Sequence, residues 1–296
     1  MFSTLLYGLA LCVLYPLAWL PRRVLYGLSD VVYVLFYYVL SYRKSVVYVN
    51  LARSFPNKSY DEIRIIAKQF YRFFSDLLFE NVKTLGTSKR KIQTIVTVEN
   101  AELVENYLSH TSVVLILGHF GNWEYLASLL LYFKTKIAYK PQKGASDRLM
   151  RHIRTRYSRN GDVIIPMQHI SRWMLTHRDE HTAYVFIADQ SPSPLSKAWV
   201  DFLHQDSLFF EGAEKMAKRL NLPVIYVEIS RPARGKYKWI YSLISEEPEK
   251  LPEFEITRRF ASSLEASINR YPPYWLWSHK RWKHRRTNGE ELNIKN

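Results

Sequence analysis

Hydrophobic side chains change their spacing twice along this chain. From Phe2 to Leu20 the sequence is one apolar run with no charged residue, "FSTLLYGLALCVLYPLAWL". Pro21, Arg22 and Arg23 stop it. A second apolar stretch, Val24 to Tyr42, holds only Asp30 as a charge and is closed by Arg43 and Lys44. Runs of this kind predict helices, and about 20 residues suffice for a ~30 Å hydrocarbon core. Between Tyr60 and Val82 the spacing becomes amphipathic: Ile63, Ile66, Phe70, Phe73, Phe74, Leu77 and Leu78 recur near helical intervals. Ser59 and Glu62 are placed as the two halves of a capping box. From about Thr94 short apolar runs alternate with amphipathic ones. Strands are predicted at Val113–Leu117, Ile137–Tyr139, Val163–Ile165, Ala183–Ala188, Val224–Ile229 and Tyr237–Ile244. Helices are predicted at Leu126–Phe133, Asp147–Tyr157, His169–His177, Glu211–Leu220 and Ile256–Ile268. Ser191–Ser196, with two prolines, reads as a loop. The expectation is an α/β fold with a central mixed sheet flanked by helices, preceded by an N-terminal apolar segment that anchors the chain to a membrane. Residues 1–42 form that anchor, 43–93 a helical connector and 94–296 the α/β domain.

Composition adds to this. Of 296 residues 47% are hydrophobic, enough for a sizeable core, and 15% are aromatic, with 21 Tyr and 8 Trp, which suits surfaces that are wet on one side and apolar on the other. The formal net charge of +15 attracts anions: nucleic acid, anionic lipid, phosphorylated substrates or acidic proteins. One cysteine, Cys12, excludes an internal disulfide and any multi-cysteine metal site, and its place inside the apolar run makes it a poor nucleophile. A cleaved signal peptide would need a basic start and a small-residue cleavage site, and neither stands out. Cations following the apolar run favour a body on the cytoplasmic face.

The stretch "LILGHFGNWEYLASLLL", Leu115 to Leu131, interrupts two apolar elements with a polar knot. Ligands in open α/β sheets sit beyond the carboxyl ends of strands, and His119 is at such an end. Residues five apart on one helix diverge by about 140°. His119 and Glu124 therefore converge only if His119 lies in the loop and Glu124 in the first turns of the helix. Gly118 and Gly121 permit the tight backbone, and Asn122 is placed as the N-cap. So arranged, Glu124 would orient the imidazole and His119 would take a proton from an attacking hydroxyl. Amides at the helix start could assist charge developing on a carbonyl. An acid near a helix start is also favoured by the macrodipole alone, and a histidine at a strand end also serves to tie down a loop. Spacing alone leaves these readings open. The chain lacks G-x-S-x-G, Walker A, G-x-G-x-x-G and H-E-x-x-H motifs.

"GHFGNWE" resembles the H-x4-D/E block of the lysophospholipid acyltransferase superfamily. The chain as a whole is similar to the bacterial late acyltransferases of lipid A biosynthesis, the lauroyl/myristoyl transferase family. The blocks follow in order: the apolar N-terminus, "GHFGNWE", "YKPQKGASDRLMRHIRTRYSRNGDVIIPM", "FIADQSP", "VDFLHQDSLFFEGAEKMAKRLNLPVI" and "PPYWLWSHKRWK". The resemblance implies an enzyme that moves a fatty acyl chain from a thioester, on acyl carrier protein or acyl-CoA, directly to a hydroxyl of a lipid A precursor at the bacterial inner membrane. It implies His119 as base with Glu124 as its partner, no metal and no cofactor. Block position puts Arg159 and Asp189 in the site, with Arg156 close enough to take the place of Arg159, and adds Asn122 and Gln190 as substrate-binding residues. Another glycolipid, phospholipid or aminolipid is the alternative acceptor, since the superfamily shares its dyad across acceptors. The C-terminal "WLWSHKRWKHRR" interleaves cations and aromatics as a nucleic-acid binder would. A membrane enzyme handling an anionic sugar-lipid and an acidic carrier accounts for the same charge, so no nucleic acid is expected as partner. Trp277, His279, Arg281, Trp282 and Lys283 are equally compatible with a structural or membrane-facing role.

Overall fold

The computed structural model describes residues 2–158 and 163–286. Helices α1 (Phe2–Trp19), α2 (Arg22–Val34), α3 (Lys44–Ser54), α4 (Tyr60–Thr84) and α5 (Lys89–Gln93) come first, and α2 runs on into a wider π-helical turn at Leu35–Val39. The α/β part then follows: β1 (Val96–Glu99), α6 (Ala101–Leu108), β2 (Val113–Leu117), a 3-10 segment (Trp123–Leu131), β3 (Thr135–Tyr139), α7 (Ala145–Arg154), β4 (Ile164–Pro166), α8 (Met167–Thr176) and β5 (Ala183–Ile187). A hairpin of β6 (Trp199–Phe202) and β7 (Gln205–Leu208) leads to α9 (Gly212–Leu220), β8 (Val224–Ala233), β9 (Lys236–Ser245) and α10 (Glu255–Arg270).

Seven strands form one mixed sheet in the order β1-β9-β8-β2-β5-β3-β4. Within this sheet, among the described residues, only β8 and β9 pair antiparallel. β2 and β5 are central and buried at nearly every position, which explains their continuous apolar runs. One core layer joins α4, α9 and α10 to one face of the sheet through Phe70, Met216, Phe260 and Leu264. The other covers the opposite face with Leu115, Val185, Trp239 and the 3-10 segment.

The expected capping box is present. Ser59 Oγ accepts from the Glu62 amide, and Glu62 Oε2 accepts from the Ser59 amide at 2.8 Å, an arrangement worth about 1 kcal/mol. α4 carries two buried acids. Asp76 accepts from Ser29 Oγ (2.7 Å), Arg231 Nη2 (2.6 Å) and Arg234 Nε (2.9 Å). Glu80 accepts from Tyr26 (2.9 Å), Tyr237 (2.6 Å) and Asn122 (2.9 Å). These bonds tie α2 and the β8–β9 end of the sheet to α4.

α1 forms over the predicted run, but part of its surface faces protein. Tyr7 and Tyr15 hydroxyls reach the two ring nitrogens of His152 on α7 (3.2 and 3.0 Å), and Lys83 Nζ donates to the Ala18 and Leu20 carbonyls at the end of α1 (2.8 and 2.7 Å). Gly86 makes this close approach possible, since a Cβ there would lie 2.6 Å from the Ala18 carbonyl oxygen. Among the described residues no single helix is long and apolar enough to cross a membrane. One pair, Arg22–Val39 with Lys44–Ser54, reaches that length together but is bent by 86°.

Candidate active site

β2 and β5 are parallel neighbours, with Leu117 opposite Ile187. Two residues beyond these paired ends stand His119 and Asp189, so the sheet itself sets them side by side. The His119 Nδ1–Asp189 Oδ1 distance is 2.6 Å, and the His119 amide donates to Asp189 Oδ2 at 2.8 Å. Trp275 Nε1 donates to the same Oδ2 at 2.7 Å. Gly118 has to be glycine for this approach: a Cβ would lie 2.7 Å from Leu264 Cδ1 and 3.2 Å from Asp189 Oδ2. Asp189 is buried. Burial pushes its pKa up, but the facing His119 and the bonds from His119 and Trp275 outweigh that and hold the carboxyl below its usual value. An ionised Asp189 accepts from Nδ1, which assigns the ring proton to Nδ1 and the lone pair to Nε2. Gln190 Nε2 lies 3.1 Å from that Nε2.

The loop after His119 is pinned from the C-terminal end of the chain. Phe120 bridges Trp275 in antiparallel fashion, and the Gly121 amide donates to the Tyr274 carbonyl at 3.0 Å. Gly121 has φ +62°, and a Cβ on it would meet the Ile229 carbonyl oxygen at 2.6 Å. Trp123 packs edge-on against the His119 ring, with centroids 5.1 Å apart.

The expected His119–Glu124 dyad does not form. His119 does sit in the loop, and Glu124 does sit in the first turn of the following segment, which is 3-10 rather than α. Both Glu124 oxygens, however, are taken by Arg154 at the end of α7. Nε donates to Oε2 at 2.8 Å and Nη2 to Oε1 at 2.6 Å. Side-chain exposure is 8% for Glu124 and 25% for Arg154, so the pair is mostly buried. Burial lowers the Arg154 pKa, but the bonds and charge of Glu124 more than reverse this, and the cation is permanent. Asn122 is also placed differently from expectation. It precedes the segment without capping it, and its Nδ2 donates inward to Glu80 while its Oδ1 is buried without a partner. Arg159 lies outside the described residues, and Arg156 is exposed on the turn after α7. Arg154 was missed by the sequence reading, although it lies in the same quoted block.

Among the described residues no group of three or more His, Cys, Asp or Glu side chains is placed to hold a metal ion. The model of the bacterial lipid A biosynthesis acyltransferase family matches residues 1–284. The chain belongs to that family. This acyltransferase is also similar to the crystal structure of the 1-acyl-sn-glycerophosphate acyltransferase PlsC from Thermotoga maritima. Identity is 13%, coverage 83% of this chain and 96% of that one, and the TM-score 0.38. No curated protein matches it.

In this lipid A family acyltransferase the C-terminal cluster of tryptophans and cations builds the wall behind the histidine. Trp275 holds Asp189. Trp277 is fully buried and donates to the Pro272 carbonyl at 2.6 Å. His279 Nε2 accepts from the Ser191 amide at 3.4 Å. Burial, with His119, Arg281 and Lys283 nearby and only Asp189 opposing, brings its pKa down to about 4. Arg281 is 2% exposed, with its guanidinium over the Phe209 ring at 4.4 Å. Together the groups supply a histidine whose Nε2 lone pair meets only the exposed Gln190 amide, a carboxylate that fixes its tautomer, and a permanent cation at the end of α7 held by Glu124 of the following turn. That set fits proton abstraction from a hydroxyl beside a carbonyl that gathers negative charge.

Proposed function

We propose that this acyltransferase moves a fatty acyl chain from an acyl thioester, carried on acyl carrier protein, to a hydroxyl of a lipid A precursor at the cytoplasmic face of the inner membrane. The observation that carries the reading is the His119–Asp189 pair at the ends of β2 and β5, in a chain of this family. The acceptor hydroxyl replaces the exposed Gln190 amide at His119 Nε2. Nε2 takes its proton as the oxygen attacks the thioester carbonyl, the C–S bond breaks, and the thiol leaves with that proton. Asp189 balances the imidazolium between the two events. General-base assistance of this kind is worth roughly 10²–10⁴ in rate. Arg154, held by Glu124, is the cation assigned to the charge that gathers on the carbonyl oxygen.

The acidic donor and the phosphate-bearing acceptor both suit the +15 chain. Membrane attachment is supported by an exposed apolar surface on the first two helices and the turn that follows: Leu5, Leu9, Val13 and Trp19 on α1, Val31 and Val34 on α2, then Val39 and Leu40. Lipids from cells lacking the protein, analysed by mass spectrometry, test the acceptor. A lipid A short of one acyl chain is expected. Unchanged lipid A with a deficit in another acylated lipid would reject this acceptor. Transfer rates with acyl carrier protein against acyl-CoA decide the donor. The full chain should stay with membranes in high salt and leave in detergent; release by salt alone would reject apolar attachment.

A further inference from the structure

A second cleft lies away from His119. It has a volume of about 430 Å³ and is lined by Arg72 and Gln69 of α4, Arg231 of β8, Arg234 of the β8–β9 turn, and Arg270 and Tyr271 at the end of α10, with Asp76 at its base. Neither His119 nor Asp189 borders it. Four arginines and one carboxylate line the cleft; Glu80 (3.6 Å from Arg231), Asp30 and Glu228 pair with the arginines from outside that lining, and two of the four keep most of their donors free. Among the described residues Arg72 gives only Nε, to Asp30 at 3.3 Å. Arg270 gives only one Nη, to Glu228 at 2.9 Å. The floor is Arg231, whose side chain is 7% exposed and stacks over the rings of Phe73 and Tyr274. Its Nη2 is spent on Asp76 at 2.6 Å, but its Nε is buried with no acceptor. A buried charged donor left without an acceptor is destabilising. An oxyanion drawn into the cleft would add acceptors beside this cation.

We infer that this cleft is a phosphate-binding site, separate from the acyl-transfer centre and independent of which lipid that centre acylates. Guanidinium forks at the floor and on both rims approach an anion from more than one side. A planar carboxylate meets one fork well, whereas a tetrahedral phosphate presents oxygens to several. The rim pairs with Asp30 and Glu228 are exposed at the arginine end, and such pairs are weak enough to yield to a dianion. The setting favours a phosphate at a lipid surface. Asp30 on α2 is followed by exposed Val31, and Val34 lies one turn further along the same face. A chain seated on the membrane by that face brings its cleft to headgroup level. Tyr274 ties the cleft to the reaction loop, because it lines the cleft while its carbonyl holds the Gly121 amide.

The test uses the full chain and two probes. Binding is measured to phosphatidylcholine vesicles carrying a minority of phosphatidic acid, and to vesicles carrying the same charge as oleate. Thermal stability in detergent is measured in sodium phosphate against sodium chloride at equal ionic strength. Roughly tenfold tighter binding to the phosphatidic acid vesicles is expected, equivalent to about 1.4 kcal/mol. The double variant Arg72→Ala/Arg270→Ala should lose that preference. Gln69→Glu, which leaves every ion pair in place and puts a negative charge on the lining, should lose it too. A phosphate-specific rise in Tm that both variants abolish, without a vesicle preference, would support the site with a soluble phosphate compound as its ligand. Equal binding to both vesicles with no phosphate-dependent Tm would overturn the proposal, as would a preference that survives in both variants.

Discussion

Two acid–base pairs lie around the same loop, and they are built in opposite ways. His119 and Asp189 come from the ends of neighbouring strands, 70 positions apart in sequence, and meet through one short contact of 2.6 Å between side chains. Glu124 and Arg154 come from a 3-10 turn and the end of a helix, 30 positions apart, and meet through a two-pronged contact. The first pair contains an imidazole, which can carry a proton from one group to another. The second contains a cation that never loses its charge. A carboxylate next to imidazole sets a tautomer; a carboxylate next to guanidinium fixes a charge in place. Read from sequence, the job of orienting His119 falls to Glu124, with Asp189 beside the pair; in the structure the partners are exchanged.

Replacing the histidine should separate the pairs most sharply. His119→Ala is expected to lower kcat by about 10²–10⁴, measured as turnover per folded molecule so that any loss of Tm from stranding Asp189 is counted separately. Asp189→Asn should fall in the same range alone and cost little more in the His119→Ala background, because the two act as one unit. Should full additivity be found, Asp189 is not the partner of the base. Glu124→Ala should act on the fold as well as on the rate. It strands a cation that is three-quarters buried, and unfolding should become easier by about 2–3 kcal/mol, discounted from a fully buried pair. Adding Arg154→Met should restore much of that stability. The cycle pairing Glu124→Ala with His119→Ala should be additive in stability within about 0.5 kcal/mol; a large coupling would return Glu124 to His119.

The smallest effect is acid sensitivity. The folded pKa of His279 is about 4 against an ordinary 6.5. As pH falls through 6.5 the unfolded chain binds this proton first, so the stabilisation is complete above 6.5 and is lost on the way down to about 4. Asp189, held below its usual value, adds a loss at lower pH as the folded carboxyl itself titrates. His279→Gln should flatten the Tm profile between 6.5 and 4 and leave the steeper acid limb, read by thermal unfolding across that range. An unchanged upper limb would mean that His279 is not the group responsible.

The buried strands were legible because a strand covered on both faces has no alternation to misread. Val113–Leu117 and Ala183–Ile187 are read almost to the residue. The α4 helix and its capping box were legible for the same local reason. The β6–β7 hairpin was not. Its turn is Leu203–His204, both at positive φ, where the usual signal is Asn-Gly. The helix expected at Leu126–Phe133 is a 3-10 segment over Trp123–Leu131, buried nearly all round through Leu129, where a one-sided stripe cannot be read. The histidine and both acids were visible as candidates. Their pairing was not, because the nearest carboxylate in sequence is Glu124, while strand order makes Asp189 the nearest in space.

β5 lies between β2 and β3, although it follows both in the chain. β5 pairs with β3 (Thr135 opposite Ala183) and, across a longer stretch of chain, with β2 (Val113 opposite Ala183), so the pairing that sets Asp189 beside His119 is long-range and carries a loop-closure cost. Catalytic competence therefore cannot precede the central sheet. On refolding, helix content is expected to return before turnover, which makes recovered activity a reporter on the central strand pairing rather than on the helices.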